Sequence, residues 1–198
     1  MRLTNERYEE IKKEICNSLF DYDIDTLPID VFDLAKRMKI KIVKASEILK
    51  KHPEKLNQYA LYSYPHSYLH YNKEEQQFIV YLDDVGTKKQ RQRFSLAHEI
   101  IHIILGHTEQ NIQNEAEANF GATYLLAPTS FVLIKGAYSY LLSPEIVMEI
   151  FDVSYSEAKI VVSYFENRRY CDSQIEQYEI DTINRFKKSF NRRLDVFK

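Results

Sequence analysis

Phe94-Ser95-Leu96-Ala97-His98-Glu99-Ile100-Ile101-His102 decides how the rest of the chain is read. The stretch contains His-Glu-x-x-His, and on a helix two imidazoles four residues apart lie one above the other on the same face. Both rings can then hold one metal ion, while Glu99 stands beside them as a proton acceptor. Chemistry of that kind needs two neutral imidazoles, a third ligand and a nearby carboxylate. The flanking residues support a helix. Thr87-x-x-Gln90 has the form of a capping box at its start. The first turns are basic (Lys88, Lys89, Arg91, Arg93), and Phe94, Ala97, Ile101, Ile104 and Leu105 give an apolar stripe that Gly106 ends.

The third ligand has to come from elsewhere. A second helix is expected from about Asn111 to Leu126, stopping before Pro128. Glu115 and Asn119 share one of its faces, whereas Glu117 points roughly opposite to Glu115, so two carboxylates compete on geometry alone. Ala118, Gly121 and Ala122 are small enough to let this helix approach the first closely. A metzincin would need glycine and histidine three and six residues after the second histidine; those positions hold Leu105 and Thr108, which excludes that class. His107 falls just past the helix end and reads as a polar terminal residue, and His52, His66 and His70 read as surface histidines.

Upstream, Tyr8, Ile11, Ile15 and Leu19 are spaced as on an amphipathic helix over 5–20. Pro28 is expected in the first turn of a second helix carrying Val31, Leu34, Ala35 and Met38. Ile40–Val43, Leu56–Tyr64, Tyr68–Tyr71 and Gln77–Leu82 read as strands, giving a small antiparallel sheet ahead of the motif helix. An edge strand of that sheet could hold an extended peptide; a tyrosine-rich face packed on helices is the plainer alternative. Downstream the chain reads as helical throughout: Phe131–Tyr140, a segment opened by Ser143-Pro144, and another opened by the capping box Ser154-x-x-Glu157. Asp172–Lys198 is a polar helix whose stripe of Phe186, Phe190, Leu194 and Phe197 is flanked by basic residues. Such a tail docks on a partner or, more ordinarily, packs on its own domain.

Composition narrows the field. The 198 residues carry 27 basic and 29 acidic side chains, so no global field favours nucleic acid or membrane. Only four glycines are present, with neither a Walker A loop nor a dinucleotide fingerprint, which argues against nucleotide chemistry. Cys16 and Cys171 lack metal-ligand spacing and read as two buried thiols in a reducing compartment. The charged start and the lack of a long apolar run lead to the expectation of a soluble, cytoplasmic protein with no membrane partner.

Two stretches resemble the ImmA/IrrE-type metallopeptidases. Arg91–His102 looks like their central motif, and Glu115-Ala116-Glu117-Ala118-Asn119-Phe120-Gly121-Ala122-Thr123-Tyr124-Leu125-Leu126-Ala127-Pro128 resembles their second, Glu-x-x-Ala-Asn-x-Phe-Ala-Ala-x-Leu-Leu-x-Pro. The second motif is one residue tighter around Phe120-Gly121, and Ile100-Ile101 replaces a pair that usually includes glycine. The resemblance spans roughly residues 28–166. It implies zinc as cofactor, His98, His102 and Glu115 as its ligands with Glu117 the fallback, Glu99 as general base, and Asn119 as a residue orienting a ligand. It also implies an α+β fold, mainly helical with a small antiparallel sheet and a zincin-like core. A metallopeptidase domain over 1–170 with a basic helical tail over 171–198 completes that expectation. The implied activity is zinc-dependent endopeptidase cleavage of a protein substrate, a helix-turn-helix transcriptional repressor. The alternative, from another class, is a non-proteolytic regulatory or antitoxin-like module that sequesters a protein partner; the presence of Glu99 weighs against it. Direct nucleic-acid binding is not expected, the cluster Arg185–Arg193 being its weaker candidate.

Overall fold

The computed structural model describes residues 3–55, 67–134, 143–170 and 175–194. The first helix, α1 (Asn5–Asp21), is capped by Thr4, whose hydroxyl accepts from the Arg7 amide. It buries Ile11, Lys12, Ile15, Cys16 and Leu19, while Tyr8, the first residue of the expected stripe, is half-buried. Helix α2 (Val31–Arg37) begins later than Pro28 suggests. Asp30 is the physical reason: its carboxylate accepts from the amides of Phe32 and Asp33, and that sets the helix start. Strand β1 (Lys41–Lys44) leads directly into α3 (Ala45–Lys51).

Strands β2 (Ser67–Asn72) and β3 (Gln77–Leu82) form an antiparallel hairpin, with Ser67 opposite Leu82 and Asn72 opposite Gln77. Its turn is made by Asn72, whose side-chain oxygen accepts from the amides of Glu74 and Glu75. The sheet order is β1-β3-β2, and β1 pairs with β3 in parallel. The sheet is therefore small, as expected, but antiparallel on one side only. The end of β1 and the start of β2 lie at the same end of the sheet, both opposite Leu82, so β2 runs back across it and the hairpin then sets β3 parallel to β1. The expected strand Leu56–Tyr64 lies outside the described residues.

The motif helix α4 (Lys89–Ile104) is the centre of the molecule: Leu96, Ala97, Ile100 and Ile101 are fully buried. It lies on the sheet face that presents Val80 and Leu82 and packs against α5 (Ile112–Leu126). Thr87 does not cap α4; its hydroxyl donates instead to the Asp83 carbonyl, and Lys88 takes the cap position without a side-chain bond. The other end is as expected. Gly106 has φ +66°, the amide of His107 donates to the His102 carbonyl at 2.9 Å, and that of Gly106 to Ile103 at 3.1 Å.

Helix α6 (Thr129–Ile134) follows Pro128, and the remainder of the expected Phe131–Tyr140 segment lies outside the described residues. Ser143 caps α7 (Pro144–Phe151), with Pro144 in its first turn. The capping box of α8 (Tyr155–Tyr170) is reciprocal: the Ser154 amide donates to Glu157 and the Glu157 amide to Ser154 Oγ. Arg93 ties this region to α4, donating to the carbonyls of Ile29 and Phe151 at 2.9 and 3.1 Å and to that of Asp152.

The last helix, α9 (Gln177–Leu194), lies on the core through Ile183, Phe186 and Phe190. Phe131 meets Phe186 and Phe190 with ring centroids 5.7 and 5.5 Å apart. Arg185 Nε donates to the Ile24 carbonyl, and the Leu27 amide donates to Ser189 Oγ. The part of the tail that is described thus packs on its own chain; Phe197 lies outside the described residues. Among the described residues, no helix is long and apolar enough to cross a membrane.

Candidate metal centre

His98 and His102 share a face of α4, and Glu115 enters from the first turn of α5. His98 Nε2 and His102 Nε2 are 3.0 Å apart, and the Glu115 carboxylate lies 3.3 Å from the first and 3.5 Å from the second. A tetrahedral ion with bonds of ~2.0–2.1 Å separates its ligand atoms by about 3.3 Å. The three donors therefore fit a single small ion, and the set of two imidazoles and a carboxylate suits a borderline metal better than a hard one. The imidazoles are nearly buried, whereas the Glu115 side chain is 44% exposed, so the centre opens to solvent on that side.

Two helices must come unusually close for this to happen, and Gly121 permits it. A Cβ built there would sit 2.6 Å from Ile101 Cγ2, so only glycine fits against α4 at this point. Asn119, one turn beyond Glu115 on the same face, favours the protonated His98 imidazole, against the larger effect of burial. Burial drives the His98 imidazole below its ordinary range. Burial, then His98 and His107, take His102 down to about 4. Both rings are thus neutral near pH 7, the form that offers a lone pair to a metal.

Glu99 sits beside this group, 7% exposed. Burial pushes its carboxyl up to about 6, against the opposing effect of a hydrogen bond from Ser67 and reinforced by the Glu115 charge. Ser67 Oγ donates to Glu99 Oε1 at 2.7 Å from the first residue of β2. A carboxyl poised near neutrality can accept and return a proton.

Glu117 is not in this group. It is 1% exposed on the other side of α5, where its carboxylate accepts from Arg7, from Gln113 Nε2 at 3.0 Å and from His107 Nε2 at 3.1 Å. His107 is more than a terminal polar residue: its Nδ1 lies 2.9 Å from His102 Nδ1. A Gly106 turn brings the residue after it back over the last helical turn, so the contact between His107 and His102 has a visible signal. Arg7 and Ser67 have none, being 110 and 32 positions from their partners. Of the remaining histidines, His52 pairs with Glu54 at the surface, His70 is exposed on β2, and His66 lies outside the described residues.

A mainly helical α+β fold with His-Glu-x-x-His on its central helix, and a carboxylate facing it from the next, defines a metallopeptidase-type protein. The chain belongs to the IrrE N-terminal-like domain family of peptidases, whose family model matches residues 35–163. No curated protein matches the chain.

Proposed function

We propose that this chain is a zinc-dependent endopeptidase that inactivates a helix-turn-helix repressor by cutting it. The observation that carries the catalytic part is Glu99, buried beside three converging donors and held by Ser67. Zinc, held by His98, His102 and Glu115, would supply a water of pKa about 7 and polarise the scissile carbonyl. Glu99 takes the proton of that attacking water and delivers it to the leaving amine. Its raised proton affinity suits both halves of the transfer. Ser67 donates to Glu99 Oε1 and so fixes the orientation of the carboxylate.

The endopeptidase reading rests on β2. It is the outer strand of the described sheet and its first residue, Ser67, bonds Glu99, so an extended substrate added beside it would pass that carboxylate. The repressor is the substrate implied by the family resemblance. Glu99→Gln tests the whole proposal: the variant should bind zinc as the wild type does and leave a co-expressed repressor from a neighbouring gene uncut. Full cleavage by the variant would sink the mechanism. A repressor that the wild type binds stably without cutting would instead support the sequestering module.

A further inference from the structure

We infer that His107 and Glu117 are positioning residues that present the His102 lone pair to the metal, through a hydrogen-bond chain anchored on Arg7. The chain runs Arg7, Glu117, His107, His102, and its direction is set by the chemistry of its two ends. Arg7 and Gln113 Nε2 both donate to the Glu117 carboxylate, so Glu117 serves this chain as an acceptor. The hydrogen shared between Glu117 and His107 must therefore sit on His107 Nε2. A bare His102 Nε2, which metal binding requires, places the single hydrogen of that ring on Nδ1, and His107 Nδ1 is the acceptor facing it at 2.9 Å. His102 Nε2 is the atom that faces His98 and Glu115.

The opposite arrangement fails at two places. It sets a His107 lone pair against a buried carboxylate, and it puts a hydrogen on the nitrogen that has to bind metal. The backbone supports the same geometry, because the turn at Gly106 hydrogen-bonds the His107 amide to the His102 carbonyl. Arg7 lies on α1, outside the segment that the family model matches. The N-terminal helix of this chain thus orders its metal centre from a distance.

This inference rests on the reading of His98, His102 and Glu115 as a metal site, and its test separates the two. Nitrogen-15 correlation spectra of the metal-free protein at pH 8 report which His102 nitrogen carries the hydrogen. The wild type should show Nδ1–H; an Nε2–H tautomer on His102 would overturn the inference whatever any variant does. His107→Phe keeps the ring volume but removes the acceptor. It should shift His102 toward Nε2–H and weaken zinc binding, measured by chelator competition, roughly 10–100-fold. His107→Gln, whose carboxamide oxygen can still accept, should recover part of that loss. Unchanged tautomer and affinity in His107→Phe would refute the positioning role. A wild type with the expected tautomer that binds no zinc would refute the metal reading instead, and leave the hydrogen-bond chain standing.

Discussion

Ser67 Oγ and Glu99 Oε1 are 2.7 Å apart, joining the first residue of the edge strand to the carboxylate beside the metal centre. The same hydroxyl lies 3.4 Å from the Ser95 carbonyl, so sheet and helix are pinned together at the point where a substrate would enter. Ser67→Ala should lower kcat roughly tenfold, about what one hydrogen bond to a charged group is worth. Zinc affinity should stay within about twofold, because no ligand is touched. Steady-state kinetics and chelator competition on one preparation check both halves.

Gly121 sets the spacing of the two helices that bring His98, His102 and Glu115 together. Gly121→Ala should destabilise the protein by about 1–3 kcal/mol, the usual cost of overpacking a core. Ile101→Ala removes the atoms in the way, so the double variant should be more stable than the two single losses predict when summed. Urea unfolding of the four proteins in the cycle measures this; strict additivity would show that the helices part freely.

Glu117 makes stability depend on pH in a stated direction. Its carboxyl is held at about 2 in the folded chain, first by the hydrogen bond from Arg7, against an ordinary 4.5. A depressed carboxyl stabilises the fold above its unfolded value, and that contribution is lost as pH falls from about 4.5 toward 2. Glu117→Gln should flatten this part of the acid limb. The comparison to make is the urea midpoint of both proteins between about pH 2 and pH 7.

Arg93 is 5% exposed and satisfies buried carbonyls at Ile29 and Phe151. Arg93→Met should cost about 2–4 kcal/mol, because several acceptors lose their donor together. Arg91 and Lys89, on the same helix, should be neutral to alanine within about 0.5 kcal/mol. Thermal unfolding of the three variants distinguishes a structural cation from a solvated basic face.

The candidate metal group was legible in part, because helix periodicity places its two histidines but leaves Glu115 and Glu117 as alternatives. His98 and His102 are four apart on one helix, and Glu115 shares a face with Asn119 on the next. The tight pairing at Gly121 was legible from its small neighbours for the same reason. What lies around the centre was not, since it is built by contacts between distant segments. Arg7 reaching Glu117, and Ser67 reaching Glu99, leave no local pattern. Local signals also failed where a competing partner was better placed. Thr87 donates to Asp83 rather than capping α4, and Asp30 starts α2 in place of Pro28. Strand periodicity finds β1 but says nothing about its direction, so its parallel pairing with β3 had to be seen.

The segment shared with the family, residues 35–163, carries every ligand candidate, yet part of its core is covered from outside it. Tyr8 stacks edge-on against Phe120 at 4.6 Å from in front of it, and Phe186 covers Phe131 from behind. A fragment trimmed to those borders would leave Phe131 and the Glu117 carboxylate to water, one without its cover and the other without its cation. In this chain the wrapping belongs to the enzyme as much as the motif does.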